Sequence, residues 1–557
     1  MIAFFQKYHR PVFYLTWFFL SLFQASFTQL IDDESYYWVY SRFLSWGYFD
    51  HPPMIALLIK WGYAFFQNEF GVRLFCILLN TLTIFIIENL LEKKSSFLFY
   101  SIVLSIGIFQ IGGFLAVPDT PLLFFTALFF YCYRKFVQAV DWKNALLLGL
   151  VTALLFYSKY HGVLVVFFTI LSNIKLLSRW QTWLAGFSML IFFAPHLLWQ
   201  WDYNWISFRY HLFESNISDY KFSYTTDYIL GQLLLAGPLA GLVLLPAAFL
   251  YKPRTSMEKA MKFSMIGIYV LFFLSSLRGK VEPNWTLPVL VPLVVLSHQF
   301  IIEKISWLKP LRIILPITLL LVAAGRIYLV VDIGPDNAVK KRFHYNKEWT
   351  KIISDKTGTE PVVFFNSYQR ASRFWFYSGK PSHSLNDYKN RRNNYNLWPT
   401  ENQLLGKPVY LSHIYDMNDY TDSIKTMKGW TGWRYDSLFS ALGKIEITYE
   451  KKKFILEKGL KSLQLKCRSN ISRQYLFFLR EHPELKAELI AAVFNKKGWL
   501  KDYTTGLAIQ QLSEKTEFDI TFDLHDLPAG KYTLMFAIQS EKYPPTHNSE
   551  KIEIIIR

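Results

Sequence analysis

Cysteine is nearly absent, with 3 residues in a chain of 557. Cys76 and Cys132 fall in apolar stretches and Cys467 stands alone in a polar region, which supports neither a disulfide framework nor a cysteine-based metal site. Charge is sparse as well, at 18% of residues. No Walker A loop occurs, which argues against an ATP-driven pump, and neither a Gly-rich dinucleotide fingerprint nor a His-Glu-x-x-His zinc motif is present. No basic stripe interleaved with aromatics is found, of the kind that binds single-stranded nucleic acid. The net charge of +18 divides evenly. Residues 1–331 carry 25 Lys and Arg against 16 Asp and Glu, and residues 332–557 carry 35 against 26. Neither part is a nucleic-acid module.

What is abundant is apolar and aromatic. Hydrophobic residues make up 52% of the chain and aromatics 18%. Up to residue 331, apolar stretches near the roughly 20-residue length that spans a bilayer recur between short polar loops. They predict a polytopic α-helical membrane domain of about eleven helices, near 11–31, 71–91, 97–116, 120–137, 144–157, 160–177, 182–200, 228–250, 263–277, 285–302 and 312–331. Alternate loops concentrate Lys and Arg, from Lys7 and Arg10 through Lys93/Lys94, Arg134/Lys135/Lys143, Lys175/Arg179, Lys252–Lys262 and Lys304–Arg312. The positive-inside rule puts those loops in the cytoplasm and the C-terminal part outside it. The first helix is too long for a signal-peptide core and lacks a small-residue cleavage site, so it reads as a retained anchor.

This topology sorts the acids. Eleven of the sixteen in residues 1–331 fall on the outer face, led by Asp32, Asp33 and Glu34 between the first two predicted helices. Carboxylates are expensive in hydrocarbon, so such a cluster is expected in water or in a polar cavity. The same face carries Tyr36-Tyr37-Trp38, Asp50-His51-Pro52-Pro53, Arg73, Asp119-Thr120-Pro121, Lys159-Tyr160-His161, Arg209 and Lys280. Acids, single cations and aromatic rings on one membrane surface suit a lipid-linked phosphate and a sugar. Each motif also has a plain reading. The acids of 32–34 favour a helix N-terminus, Pro52-Pro53 sets a turn, Arg73 and Lys159 can snorkel, and Asp119 can begin a helix.

Asp33-Glu34-x-Tyr36-Tyr37-Trp38, Gly47–Pro53, Gly71-Val72-Arg73-Leu74, Asp119-Thr120-Pro121 and Lys159-Tyr160 together resemble the C-superfamily of glycosyltransferases that use polyprenyl-phosphate sugars. The likeness is to the bacterial branch related to protein O-mannosyltransferases and lipid A aminoarabinose transferases. It implies a multi-pass enzyme of the inner membrane that moves a sugar, with inversion, from a polyprenyl-phosphate donor to an extracytoplasmic glycolipid, glycan or protein. By that resemblance Asp33 is the catalytic acid, with Glu34 in support and Asp119 orienting acceptor or base. His51, Arg73 and Lys159 are the expected phosphate ligands, with Arg209 and Lys280 added by their side of the membrane. Tyr36, Tyr37 and Asp50 are expected to contact sugar or acceptor. The aminoarabinose branch has Lys at the position of His51, and a histidine is only partly charged at neutral pH. No cofactor is required, although a divalent cation between Asp33 and Asp119 suits hard oxygen ligands.

Beyond residue 331 the chain reads as water-soluble. A helical stretch near 346–357 and buried-strand runs at Glu360–Phe365 and Pro408–Ser412 predict an α/β domain over 332–440. Alternation in Lys444–Leu456, Phe518–Leu524, Lys531–Ser540 and Lys551–Ile556 predicts a β-sandwich over 441–557. Two other functions fit the overall pattern: a flippase or transporter for a lipid carrier, and a membrane scaffold that presents the sandwich. A transporter calls for ionisable residues at mid-membrane depth, and a scaffold leaves the outer-face acids and cations without a role.

Overall fold

A computed structural model describes residues 2–214, 219–412, 420–457 and 462–557. Residues 215–218 of the outer loop expected over 201–227 lie outside the described residues. The chain forms two compact units, Met1–His344 and Tyr345–Arg557. The helical unit therefore includes the segment 332–344 that follows the last apolar run.

Among the described residues, four helices are long and apolar enough to cross a membrane: Glu69–Leu90, Trp180–Asp202, Pro283–Glu303 and Ile305–Val330. Shorter apolar helices accompany them, at Met54–Phe65, Ser96–Ser105, Trp142–Ser158, Gly162–Ser172 and Gly241–Leu250. The first apolar run lies in a helix over Ile2–Phe27.

Several expected spans are interrupted. The run at 97–116 is helical only to Ser105 and continues as a π turn over Ile108–Gly112. An unpaired carbonyl in hydrocarbon costs several kcal/mol, so irregular backbone at membrane depth needs partners. Side chains supply them. Gln110 Nε2 donates to the Leu104 carbonyl at 2.6 Å, Asn80 Nδ2 to Phe109 at 3.1 Å, and Arg326 Nη2 to Gln110 at 2.7 Å. The run at 228–250 also divides, into Phe222–Leu235 and Gly241–Leu250. Gly237 between them has φ +117°, and a Cβ there would lie 2.6 Å from the Ser105 carbonyl oxygen.

Two further helices, Asp32–Arg42 and Met54–Phe65, occupy the loop expected between the first two spans. The second packs backbone to backbone on Glu69–Leu90. A Cβ on Gly62 would sit 2.1 Å from the Gly71 carbonyl oxygen.

Loops assigned to one face of the membrane meet one another. Glu303 pairs with Lys93 at 3.2 Å and with Arg254 at 2.7 Å, and Arg10 pairs with Glu88 at 2.9 Å. The loops assigned to the other face meet around Asp50, Asp119, Lys159 and Asn284, as described below.

In the second unit a mixed sheet runs in the order Ser382–Leu385, Val362–Phe365, Val409–Ser412, Gly429–Asp436, Asp422–Thr426. The first three strands are parallel and the last two pairings antiparallel. The helix Tyr368–Ser378 packs beside it. A five-stranded sheet (Gly498–Ala508, Ala487–Asn495, Gly530–Ser540, Ile552–Ile556, Lys453–Leu456) and a three-stranded sheet (Glu517–Asp523, Ser462–Asn470, Glu446–Tyr449) follow. Both sheets feed one core, with Leu465, Cys467 and Phe522 from one and Leu489, Phe536 and Ile554 from the other. The alternation seen in the sequence is the inward half of each strand. All three cysteines are buried and free.

Candidate active site

The site grows from the first turn of the Asp32–Arg42 helix, where three acids meet the positive end of the helix dipole. They point to different partners. Glu34 is fully buried against Arg73. Arg73 Nε donates to Oε1 at 2.7 Å and Nη2 to Oε2 at 2.6 Å, and both side chains are 0% exposed. Glu34 also accepts the backbone N–H groups of Ile31 at 3.1 Å and Ala116 at 2.9 Å. The rest of the Arg73 guanidinium donates to the carbonyls of Ala25, Thr28 and Gln29 at 3.0, 2.6 and 3.0 Å. All five of its N–H donors are engaged. Arg73 therefore does not face a phosphate and Glu34 does not face a substrate. The pair pins the start of the Asp33 helix to Glu69–Leu90 and to the backbone at Ala116.

Asp33, one residue earlier, points elsewhere. Its Oδ2 accepts from Arg342 Nη2 at 2.9 Å, with the two side chains 36% and 47% exposed. Both line a cleft of about 250 Å³ that also receives Asp119, Thr120 and Asn284. Apolar Ile31, Phe109, Leu123 and Leu287 complete its walls.

Asp119 opens the helix Asp119–Gln138. Its Oδ1 accepts from Lys159 Nζ at 2.7 Å and its Oδ2 from Asn284 Nδ2 at 3.1 Å. Lys159, the residue after the helix Trp142–Ser158, is buried. Three outer loops, distant in sequence, thus meet on one carboxylate.

His51 lies beside this group, its ring 5.5 Å from that of Tyr37 and 6.5 Å from that of His211. Burial pushes its pKa down to about 4, the nearby Asp50 opposing and Lys159 reinforcing that shift. That pKa leaves His51 uncharged near neutral pH. His161 is enclosed against Phe272 and Trp285.

The remaining expectations divide. Tyr36 and Tyr37 are buried in aromatic packing around Tyr40, with ring separations of 4.8 and 5.4 Å, and offer little surface to a sugar. Asp50 is buried, accepts the Tyr40 hydroxyl, and has its carbonyl 2.8 Å from His211 Nε2. Lys280 is exposed in a surface pair with Glu282 at 2.8 Å, and Arg209 donates to the Asn204 carbonyl at 3.4 Å. Neither lines the cleft. Among the described residues no group of three or more His, Cys, Asp or Glu side chains could hold a metal ion. Asp33 and Asp119 face a guanidinium, an ammonium and an amide, a donor set that suits an anion and not a bridging divalent cation.

Arg342 and Asn284 were not singled out in the sequence. Asn284 lies four residues after Lys280, and Arg342 lies beyond the last apolar run with no motif around it.

Residues 50–199 match the family model described as dolichyl-phosphate-mannose-protein mannosyltransferase. Among solved structures, ArnT from Cupriavidus metallidurans in the apo state superposes with a TM-score of 0.58 at 12% identity, over 77% of this chain and 98% of that one. The same protein bound to undecaprenyl phosphate gives 0.57 at 13% identity, over 76% and 98%. The archaeal oligosaccharyltransferase AglB from Archaeoglobus fulgidus, in complex with an inhibitory peptide and a dolichol-phosphate, covers 99% of both chains. Its TM-score of 0.41 at 10% identity is too loose to define a shared fold. No curated protein matches by sequence.

The chain shares the fold of ArnT, its helical unit carries helices long and apolar enough to cross a membrane, and residues 50–199 are similar to the mannosyltransferase family.

Proposed function

We propose that this protein is an integral membrane glycosyltransferase that takes a sugar from a polyprenyl-phosphate carrier and gives it to an acceptor outside the cytoplasm. The observation that carries the reading is the cleft. It sets Asp33, partly exposed, against Asp119 and a guanidinium at the end of the molecule where the outer loops converge. The match to a mannosyltransferase family over residues 50–199 supports the same class. The structural neighbour that carries undecaprenyl phosphate supports the donor class. The distribution of Lys and Arg supports an orientation with the C-terminal unit outside the cytoplasm, and the inner membrane rests on the family resemblance alone.

In the reaction, an acceptor hydroxyl or amine attacks the anomeric carbon from the face opposite the lipid phosphate. The new glycosidic bond forms as the bond to the phosphate oxygen breaks. Asp33 accepts the proton of the nucleophile, a role that contributes typically 10²- to 10⁴-fold. The buried Lys159–Asp119–Asn284 group fixes the loops around the acceptor side. Cationic charge stabilises the departing phosphate where its charge develops.

The test is turnover in reconstituted membranes supplied with a pool of polyprenyl-phosphate sugars, read as release of free polyprenyl phosphate. Asp33→Asn is expected to lower the rate at least 100-fold, on the scale of lost general-base catalysis, while folding is retained. Near-normal turnover in that variant would remove Asp33 from the chemistry.

A further inference from the structure

The second unit holds a cavity of about 330 Å³ at the carboxyl ends of its parallel strands. Phe365 closes the strand Val362–Phe365, Leu411 stands one residue from the end of Val409–Ser412, and both line the cavity. From Val362–Phe365 the chain runs to Ser382–Leu385 on one side, and Val409–Ser412 pairs on the other. Ligands of open α/β sheets bind where the strand order reverses in this way. The facing wall is Glu541, Lys542 and Tyr543, from the segment after the sandwich strand Gly530–Ser540. Small-molecule sites favour such seams between substructures.

Two cations line this space. Arg434, on the strand Gly429–Asp436, is half-buried and donates one N–H to the Lys542 carbonyl at 3.3 Å. Among the described residues no carboxylate pairs with it, so four of its five donors remain for a ligand or water. Lys542 is half exposed and is set by the buried Asp436 at 3.2 Å. Asp436 also accepts the Tyr543 hydroxyl, so one carboxylate positions an ammonium and an aromatic ring together. Phe365, Leu411, Tyr420 and Tyr543 give the cavity an apolar side. Glu541, exposed beside Lys486 at 3.3 Å, supplies an acceptor.

We propose that this cavity binds an acidic saccharide, with its carboxylate or phosphate on Arg434 and Lys542 and its ring against the aromatic side. The site is independent of the chemistry of the outer cleft. The guanidinium fork matches two oxygens of either anion. A bare inorganic anion has no use for the apolar side, and an apolar ligand has none for two cations. A sugar ring that carries an acidic group uses both, and its hydroxyls can donate to Glu541.

The test is saturation-transfer NMR on the full-length protein in nanodiscs, with glucuronate, glucose 6-phosphate, glucose, acetate and inorganic phosphate as probes. At least one acidic sugar should bind about 10-fold tighter than glucose and than its own bare anion, and which one does so identifies the acidic group. Arg434→Ala should weaken that binding about 10-fold or more and Lys542→Ala severalfold, while Arg434→Lys keeps part of it. Lys531→Ala, which changes an exposed lysine outside the cavity, should bind like the wild type. No preference for either acidic sugar over glucose would overturn the site. Unchanged affinity in both Arg434→Ala and Lys542→Ala would overturn it too, by placing the sugar elsewhere. Acetate or inorganic phosphate binding as tightly as the matching sugar would overturn the saccharide and leave a bare anion site.

Discussion

Three consecutive acids meet three different fates. Asp33 faces the cleft, Glu34 is sealed against Arg73, and Asp32 lies at the helix start between them and Ile31. The sealed pair is structural. Removing one member leaves a buried charge uncompensated, which costs roughly 3–5 kcal/mol. Arg73→Ala is therefore expected to lower the thermal midpoint sharply and reduce the yield of folded protein. Intact stability with a specific loss of donor affinity would instead return Arg73 to the phosphate. His51 makes a second case. Its depressed folded-state pKa means that the unfolded chain binds a proton first as pH falls. Its contribution to stability is full above about 6.5 and is lost as pH falls toward about 4. His51→Gln should flatten that part of the stability profile, measured by chemical denaturation from pH 7 to 4. An unchanged slope would mean that His51 is not held neutral. The motif Asp33-Glu34 was legible in the sequence, but which acid faces the ligand was not. That depends on Arg73, 39 residues away, and on backbone N–H groups at Ile31 and Ala116.

At the scale of elements, hydropathy found the long apolar runs and missed where they break. The π turn at Ile108–Gly112 is carried by three polar side chains from Asn80, Gln110 and Arg326, and no local pattern in 97–116 announces them. The helices Asp32–Arg42 and Met54–Phe65 were missed for a different reason. At 11 and 12 residues they are too short to score as spans. Glycine marks the close contacts they need. Gly62→Leu should separate the Met54–Phe65 helix from Glu69–Leu90, because even a Cβ would collide with the Gly71 carbonyl. The expected result is a loss of several degrees in thermal midpoint, with transfer impaired through the displaced Asp50–Pro53 loop. A wild-type midpoint would show that the two helices can part without consequence.

Over the whole molecule, the distribution of Lys and Arg groups loops that also meet in space. Loops predicted for the same face converge in space, around Glu303 at one end and around Asp119 at the other. Some strands of the second unit were legible, because alternation in Phe518–Leu524, Lys531–Ser540 and Lys551–Ile556 reports half-buried strands directly, whereas Ser462–Asn470, Ala487–Asn495 and Gly498–Ala508 were not read. The pairing order was not legible, since register between distant strands leaves no local trace. Arg342 escaped notice because a single arginine past the last apolar run looks like any interfacial cation.

The outer cleft is expected to consume a polyprenyl-phosphate sugar with Asp33 as base. The most direct test is mass spectrometry of lipids retained by the purified wild-type and Asp33→Asn proteins. The variant is expected to hold the intact sugar-bearing lipid phosphate, and the wild type the spent polyprenyl phosphate. A lipid without sugar in the variant, or the same lipids in both proteins, would contradict it.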